Sequence, residues 1–169
     1  LTMADSVMTF RLVVKEVAAA NGVHATFMPK PLEGVQGSGM HAHLSLFSGD
    51  ENAFYSEDDP YNLSLVAKQF MAGLLRHAAE ISAITNQTVN SYKRLVDGFW
   101  APTTTTWGID NRTVALRVIT GSPKSTRLET RVPGSDVNPY LAVAACLGSG
   151  LWGIERGLTL DRAPTSGSG

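Results

Sequence analysis

The strongest constraint on this chain is the order of its strand-forming runs. Residues 103–107, 113–119 and about 126–132 are each rich in β-branched residues, which fit a pleated, half-buried surface. The last two are separated only by Gly121-Ser122-Pro123, and Pro133-Gly134-Ser135-Asp136 ends the third. Strands grouped in this hairpin-like order, rather than in strict βαβ alternation, predict an α+β chain. Helical patterns lie on both sides of the group. In 4–20, Val7, Met8, Phe10, Val14 and Val17 follow helical spacing up to Asn21-Gly22, which predicts a helix packed on one side. Residues 61–84, with Leu63, Val66, Phe70, Leu74 and Ile81, read as one long buried helix. Asn138-Pro139 opens another, to about Arg156, with Asn138 as N-cap and Pro139 at the first helical position. Two further strands are predicted: a short one over 23–28, ended by Pro29 and Pro31, and one over 40–47 before the turn at 49–52. The segment 85–102 reads as irregular. The Ser/Gly/Pro-rich stretch 161–169 reads as a mobile tail to a single body of residues 1–160.

With 43% hydrophobic and 17% charged residues, the chain can bury a sizeable core. Fourteen Lys and Arg against 15 Asp and Glu leave a formal charge of −1, which argues against a nucleic-acid partner. The single cysteine, Cys146, permits no internal disulfide, so a reducing, cytoplasmic setting is expected. The longest apolar stretch, 140–154, is interrupted by Gly148-Ser149-Gly150 and is too short to span a bilayer. The chain opens on Leu1 in a helical pattern, and we expect it to be an internal fragment of a longer protein.

Three stretches carry candidate chemistry. In 40–46, period-two alternation puts His41, His43 and Ser45 on one strand face and Met40, Ala42, Leu44 and Leu46 on the other. Two imidazoles so placed can hold a metal, touch a phosphate, or simply be polar residues on a half-buried strand. In 124–131, Arg127, Glu129 and Arg131 share a face opposite Leu128 and Thr130. Two guanidinium groups would keep Glu129 ionised at neutral pH. That octet fits a surface charge ladder, or a carboxylate holding a cation while the arginines hold anionic substrate groups. Finally, Arg94, Arg112, Arg117, Lys124, Arg127 and Arg131 make 93–131 basic within a neutral chain, a focusing that suits a polyanionic small ligand such as nucleotide phosphates.

Together these segments resemble the glutamate-ammonia ligase (glutamine synthetase) family. The resemblance rests on Phe27-Met28-Pro29-Lys30-Pro31, Gly37-Ser38-Gly39-Met40-His41-Ala42-His43, Asn90-Ser91-Tyr92-Lys93-Arg94-Leu95-Val96, Asn111-Arg112, Ser122-Pro123-Lys124, Arg127-Leu128-Glu129-Thr130-Arg131 and Asn138-Pro139-Tyr140-Leu141, in that order. It covers roughly residues 1–158. It implies part of the family's catalytic domain: a curved antiparallel sheet flanked by helices, with active sites shared between subunits of a homo-oligomeric ring. It also implies ATP and Mg²⁺ or Mn²⁺ as cofactors, with glutamate and ammonia or an organic amine as substrates. By position, His41 and Glu129 resemble ligands of the second divalent metal, on adjacent strands and facing one another. His43 and Ser45, with Arg117, Lys124 and Arg127, resemble nucleotide contacts. Gly37, Arg94 and Arg131 resemble the residues around glutamate, and Arg112, with Arg94, the catalytic positions at the transferred phosphoryl group.

Two positions depart from the family's pattern. Gln36 replaces an Asn, and Trp100 stands where the family places a glutamate that binds and deprotonates ammonium. Trp100 is therefore the acceptor-specificity position, and its indole favours an organic amine. By the same resemblance, this polypeptide holds about half of the second metal site and none of the first, and is expected to be inactive alone. The competing expectations are a non-catalytic structural or binding relative, and a guanidino kinase, whose fold also lines its site with arginines. The His-x-His strand and the Asn-Ser-Tyr-Lys-Arg run oppose the kinase.

Overall fold

The computed structural model of the protein describes residues 1–166. Helix α1 (Thr2–Ala20) runs into Asn21 and a left-handed Gly22 at φ 71°. Then come β1 (Ala42–Leu44), β2 (Phe47–Ser48), β3 (Glu51–Asn52), α2 (Leu65–Arg76), α3 (Ser82–Thr85) and α4 (Val89–Arg94). The chain continues through β4 (Trp107–Ile109), β5 (Leu116–Ile119) and β6 (Arg127–Thr130) to α5 (Pro139–Glu155). The cap of α5 is the one expected: the Asn138 side chain accepts from the Tyr140 and Leu141 amides, with Pro139 at the first helical position.

The local pattern misplaces several boundaries. Residues 23–28 form no strand; Pro29 and Pro31 remove ladder donors next to them, and the Phe27 carbonyl accepts from the Ser135 hydroxyl instead. The run 40–47 divides into β1 and the start of a small β2–β3 hairpin turning at Gly49 and Asp50. The helix expected over 61–84 begins at Leu65, because the Asp59 carboxylate accepts from the Tyr61 and Leu63 amides and holds a turn there. Ser64 then caps α2 by accepting from the Ala67 amide. Within the supposedly irregular 85–102 lies α4, started by a reciprocal pair: Thr88 Oγ1 accepts from the Ser91 amide and Ser91 Oγ from the Thr88 amide. In this capping box a serine does the work usually given to Glu or Gln.

One four-stranded sheet, in the order β1-β6-β5-β4, positions the site. The β1–β6 and β6–β5 pairs are antiparallel, while β4 runs parallel to β5. The α+β class with helices flanking a sheet therefore holds, with one parallel pair in place of a wholly antiparallel sheet. The physical cause is the return of the chain over 110–115. Asp110 adopts φ 49°, and the Asn111 side chain accepts from the Thr113 amide and hydroxyl, so the backbone swings back before β5 begins. The threonines 103–106 stay outside the sheet, and β4 starts at Trp107.

The core lies between the sheet and the α2–α5 pair and includes Phe54, Phe70, Met71, Trp107, Val118 and Leu128. The two helices pack closely because glycines face each other: a Cβ on Gly73 would lie 2.1 Å from the Ser149 carbonyl oxygen. By contrast, α1 buries only Ala4, and Phe10, Leu12, Val13 and Val17 are more than half exposed, so its one-sided packing is not formed within this chain. The Arg162 carbonyl accepts from the Trp107 indole and the Thr165 amide donates to the Trp107 carbonyl, both along β4. The remainder of the segment read as a tail, 167–169, lies outside the described residues. No helix among the described residues is long and apolar enough to cross a membrane.

Candidate active site

Register brings the chemistry together. In the sheet, His43 stands opposite Glu129, and Glu129 stands opposite Arg117, so three adjacent strands place one imidazole, one carboxylate and one guanidinium in a row. The alternation expected from the sequence holds on both strands. Leu44 and Leu46 pack on the core and Leu128 is fully buried, while His41, His43 and Glu129 converge on the opposite face.

Glu129 is the hub. Its carboxylate lies 3.0 Å from His41 Nδ1 and 3.6 Å from His43 Nε2, and it accepts from Arg117 Nη1 at 3.2 Å and from Arg131 Nη1 at 3.1 Å. Only 3% of Glu129 and 4% of Arg131 is exposed, so the interaction between these two is desolvated. Burial by itself would raise the Glu129 pKa. The Arg131 charge and hydrogen bond, with lesser help from His41 and Arg117, outweigh that and hold it below the usual carboxylate value. Burial and the neighbouring Arg131 push His41 down to about 4, so it is neutral at pH 7 and keeps a lone pair to offer. Burial lowers His43 as well. Arg117 is held charged by hydrogen bonds to Asp110 and Glu129, which outweigh its partial burial. Arg127 Nε donates to His43 Nδ1 at 3.1 Å. One carboxylate thus has two guanidinium groups on it and a third one residue away. The buried Nε atoms of Arg117 and Arg131 find no hydrogen-bond partner. This face is electropositive and has donor capacity to spare, which is what an anionic ligand requires.

The remaining predicted residues fall into two groups. Arg94 and Gly37 adjoin each other and the cluster. Arg94, 3% exposed, donates to the carbonyls of Arg131 at 3.1 Å, Val132 at 3.1 Å and Pro133 at 3.4 Å. Burial and then Arg131 lower its pKa to about 10. A Cβ on Gly37 would come within 2.6 Å of the Pro29 carbonyl oxygen and 2.9 Å of Arg94 Cγ, so only glycine fits. Trp100, 58% exposed, reaches the cluster through its backbone, accepting from Arg131 Nη2 at 3.4 Å. Ser45, Lys124 and Arg112 are exposed and lie in connecting segments outside this hydrogen-bonded cluster. Sequence reading missed Asp110, which holds Arg117 from the far side at 2.8 Å. Its signal is the left-handed turn that it makes at the end of β4, visible only once the strand is placed.

His41 and Glu129 form a mixed imidazole–carboxylate pair of the kind that binds Mn²⁺ and tolerates Mg²⁺. Their 3.0 Å separation fits two ligands of one divalent ion. Among the described residues no group of three or more His, Cys, Asp and Glu side chains could hold a metal; the pair could supply two donors.

The α+β domain thus gathers a buried carboxylate, two imidazoles and several arginines on one sheet face. The family model "Glutamine synthetase, catalytic domain" matches residues 1–166, and the chain belongs to that family. It is 58% identical over 163 residues to a glutamine synthetase of Mycolicibacterium smegmatis, covering 95% of this chain and 36% of that protein. Glutamine synthetases of Halobacterium salinarum and Thermotoga maritima are 53% and 52% identical over 156 and 154 residues, with 34% and 35% of their lengths covered. The chain therefore spans about a third of the length of the relatives that it matches.

Proposed function

We propose that the protein of which this chain forms a part is an ATP-dependent ligase that joins the γ-carboxyl group of glutamate to ammonia or an organic amine through a γ-glutamyl phosphate. The observation that carries this reading is the Glu129 hub, with His41 and His43 on one side and Arg117 and Arg131 on the other. A carboxylate is a poor electrophile and needs activation before an amine can attack it. In the first step a γ-carboxylate oxygen attacks the terminal phosphorus of ATP, and the bond to ADP breaks with its electron pair leaving on ADP. In the second, the amine nitrogen attacks the acyl carbon, the C–O bond to phosphate breaks, and the nitrogen gives a proton to water. No protein nucleophile is required; the demand is for positive charge on the transferring oxygens.

Each residue then has a role. Arg117 and Arg127, with His43, Ser45 and Lys124, face the nucleotide. Arg131 and Arg94, beside Gly37, hold the glutamate carboxylates, and Arg112 neutralises the moving phosphoryl group. His41 and Glu129 would hold Mg²⁺ or Mn²⁺, which when bound screens the phosphate charge. The remaining metal ligands, the ring assembly and a cytoplasmic location belong to this proposal for the whole protein. The 169-residue chain alone is expected to be inert, because two donors make an incomplete metal site.

The experiment is oxygen transfer. Glutamate labelled with ¹⁸O in its γ-carboxyl group, incubated with the full-length protein, ATP, Mn²⁺ and ammonia, should yield phosphate carrying one labelled oxygen. Phosphate without label, or no glutamate-dependent ADP, overturns the ligase and leaves a binding protein with a ligase fold.

A further inference from the structure

Helix α4 is fixed at both ends by residues distant in sequence. At its start the hydroxyls of Thr88 and Ser91, each of which accepts the other residue's amide, donate to the Asp136 carboxylate at 3.2 Å. At its end Arg94 donates to the carbonyls of Arg131, Val132 and Pro133. Ser91 and Arg94 are buried. The helix therefore presents Asn90 from a rigid mount.

Asn90 grips the backbone of Lys30 from that mount. Its Nδ2 donates to the Lys30 carbonyl and its Oδ1 accepts from the Lys30 amide, both at 2.8 Å. The carboxamide thus meets both backbone groups of one residue, as a neighbouring strand would. An isosteric carboxylate has acceptors only and would set an oxygen against the Lys30 carbonyl.

The Lys30 amide and the Pro29 carbonyl belong to one planar peptide group. Asn90 holds the nitrogen end of that plane. On the oxygen end rests the turn at 37–38: the Ser38 amide donates to the Pro29 carbonyl at 2.8 Å, and a Cβ on Gly37 would lie 2.6 Å from the same oxygen. Arg94 closes on Gly37 from the other side, with its Cγ 2.9 Å from such a Cβ. Residues 31–36 between these points are all exposed, so no buried side chain anchors the loop. The Lys30 amine bonds the Val35 carbonyl across it, and this contact too starts from the residue that Asn90 holds.

We infer that Asn90 is a positioning residue for glutamate, acting through the Pro29–Lys30 peptide to seat Gly37 against Arg94. The inference rests on the ligase reading, in which Gly37 and Arg94 face glutamate.

The test is Asn90→Asp in the full-length protein, assayed with Mn²⁺ and ammonia while glutamate and ATP are varied separately. A negative charge in the first turn favours α4, so this variant weakens the grip on Lys30 and not the helix. The glutamate KM should rise about tenfold or more, the scale of a hydrogen bond lost with its carbonyl left unsatisfied. The ATP KM should stay within about twofold, because His43, Arg117 and Arg127 sit on strands that Asn90 does not touch. Hydrogen exchange over 30–39 should quicken, while that over 126–132 stays as in wild type. If Asn90→Asp does not fold by circular dichroism, Asn90→Ala decides by the same readings. An unchanged glutamate KM, an equal rise in both KM values, or unchanged exchange over 30–39 overturns the inference. Wild type without glutamate-dependent ADP release removes the ligase reading instead. Exchange over 30–39 then decides by itself whether Asn90 holds the loop.

Discussion

The α2–α5 seam and the outer face of β1, β6 and β5 are both tightly packed, and they achieve it by opposite means. At the seam, side chains are missing: Gly73 and Gly153 let the two helices approach until a Cβ on either would strike opposing backbone at 2.1 or 2.2 Å. On the sheet face, side chains are in excess. Two guanidinium groups and two imidazoles crowd a single carboxylate, and two buried guanidinium nitrogens go unpartnered. The seam is complete within the chain, since van der Waals contact is satisfied by its two partners. The sheet face is not, because its charges do not balance. A surplus of positive charge and free donors is a standing demand for an anion from outside. Structural and functional burial are thus distinguishable here by whether the buried groups satisfy one another.

The sharpest way to break the contrast is Glu129→Gln. Removing the hub leaves Arg131 buried without an anion, while Arg117 keeps only Asp110, which should cost about 3–5 kcal/mol in urea unfolding. A loss under about 1 kcal/mol would mean that the sheet backbone, and not charge, holds the row. Next comes Gly73→Ala. Its methyl group meets a carbonyl oxygen rather than a pliant side chain, so about 3 kcal/mol is expected, the upper part of the usual overpacking range. Gly148→Ala on the outer side of α5 is the control, since nothing lies within 4 Å of its Cβ. It should be neutral or slightly stabilising, as alanine is the better helix former.

The effect that is absent at neutral pH concerns Cys146, the one ionisable group among the described residues of the core between helices and sheet. Burial raises the Cys146 thiol from 9.0 to about 11. A folded-state pKa above the unfolded value gives stability that is fully present below pH 9 and is lost as pH rises through 11. The loss approaches about 3 kcal/mol, at 1.36 kcal/mol per pKa unit. Unfolding midpoints between pH 8 and 11 should fall more steeply for the wild type than for Cys146→Ala. Equal slopes would show that the thiol titrates normally and that this part of the core admits water.

Much of the site was legible in the sequence because strand geometry is local. Period two sends His41 and His43, and likewise Arg127, Glu129 and Arg131, to one face whatever the partner strand is. The Asn138-Pro139 start of α5 is equally local, as a cap depends only on residues within one turn. Other features were decided only by tertiary structure. The pairing of His43 with Glu129 and of Glu129 with Arg117 needs three strands distant in sequence to be in register. The parallel β4–β5 pair depends on a turn at Asp110 that no hydrophobic pattern marks. The binding of Arg94 to three backbone carbonyls, the capture of Arg117 by Asp110 and the shortening of α2 by Asp59 all follow from long-range closure or from side chains competing for backbone groups. The sequence by itself determined which way the side chains around β1 and β6 point and the family to which the chain belongs. Only the tertiary structure decided which charges meet, because facing is a property of one strand and proximity a property of several.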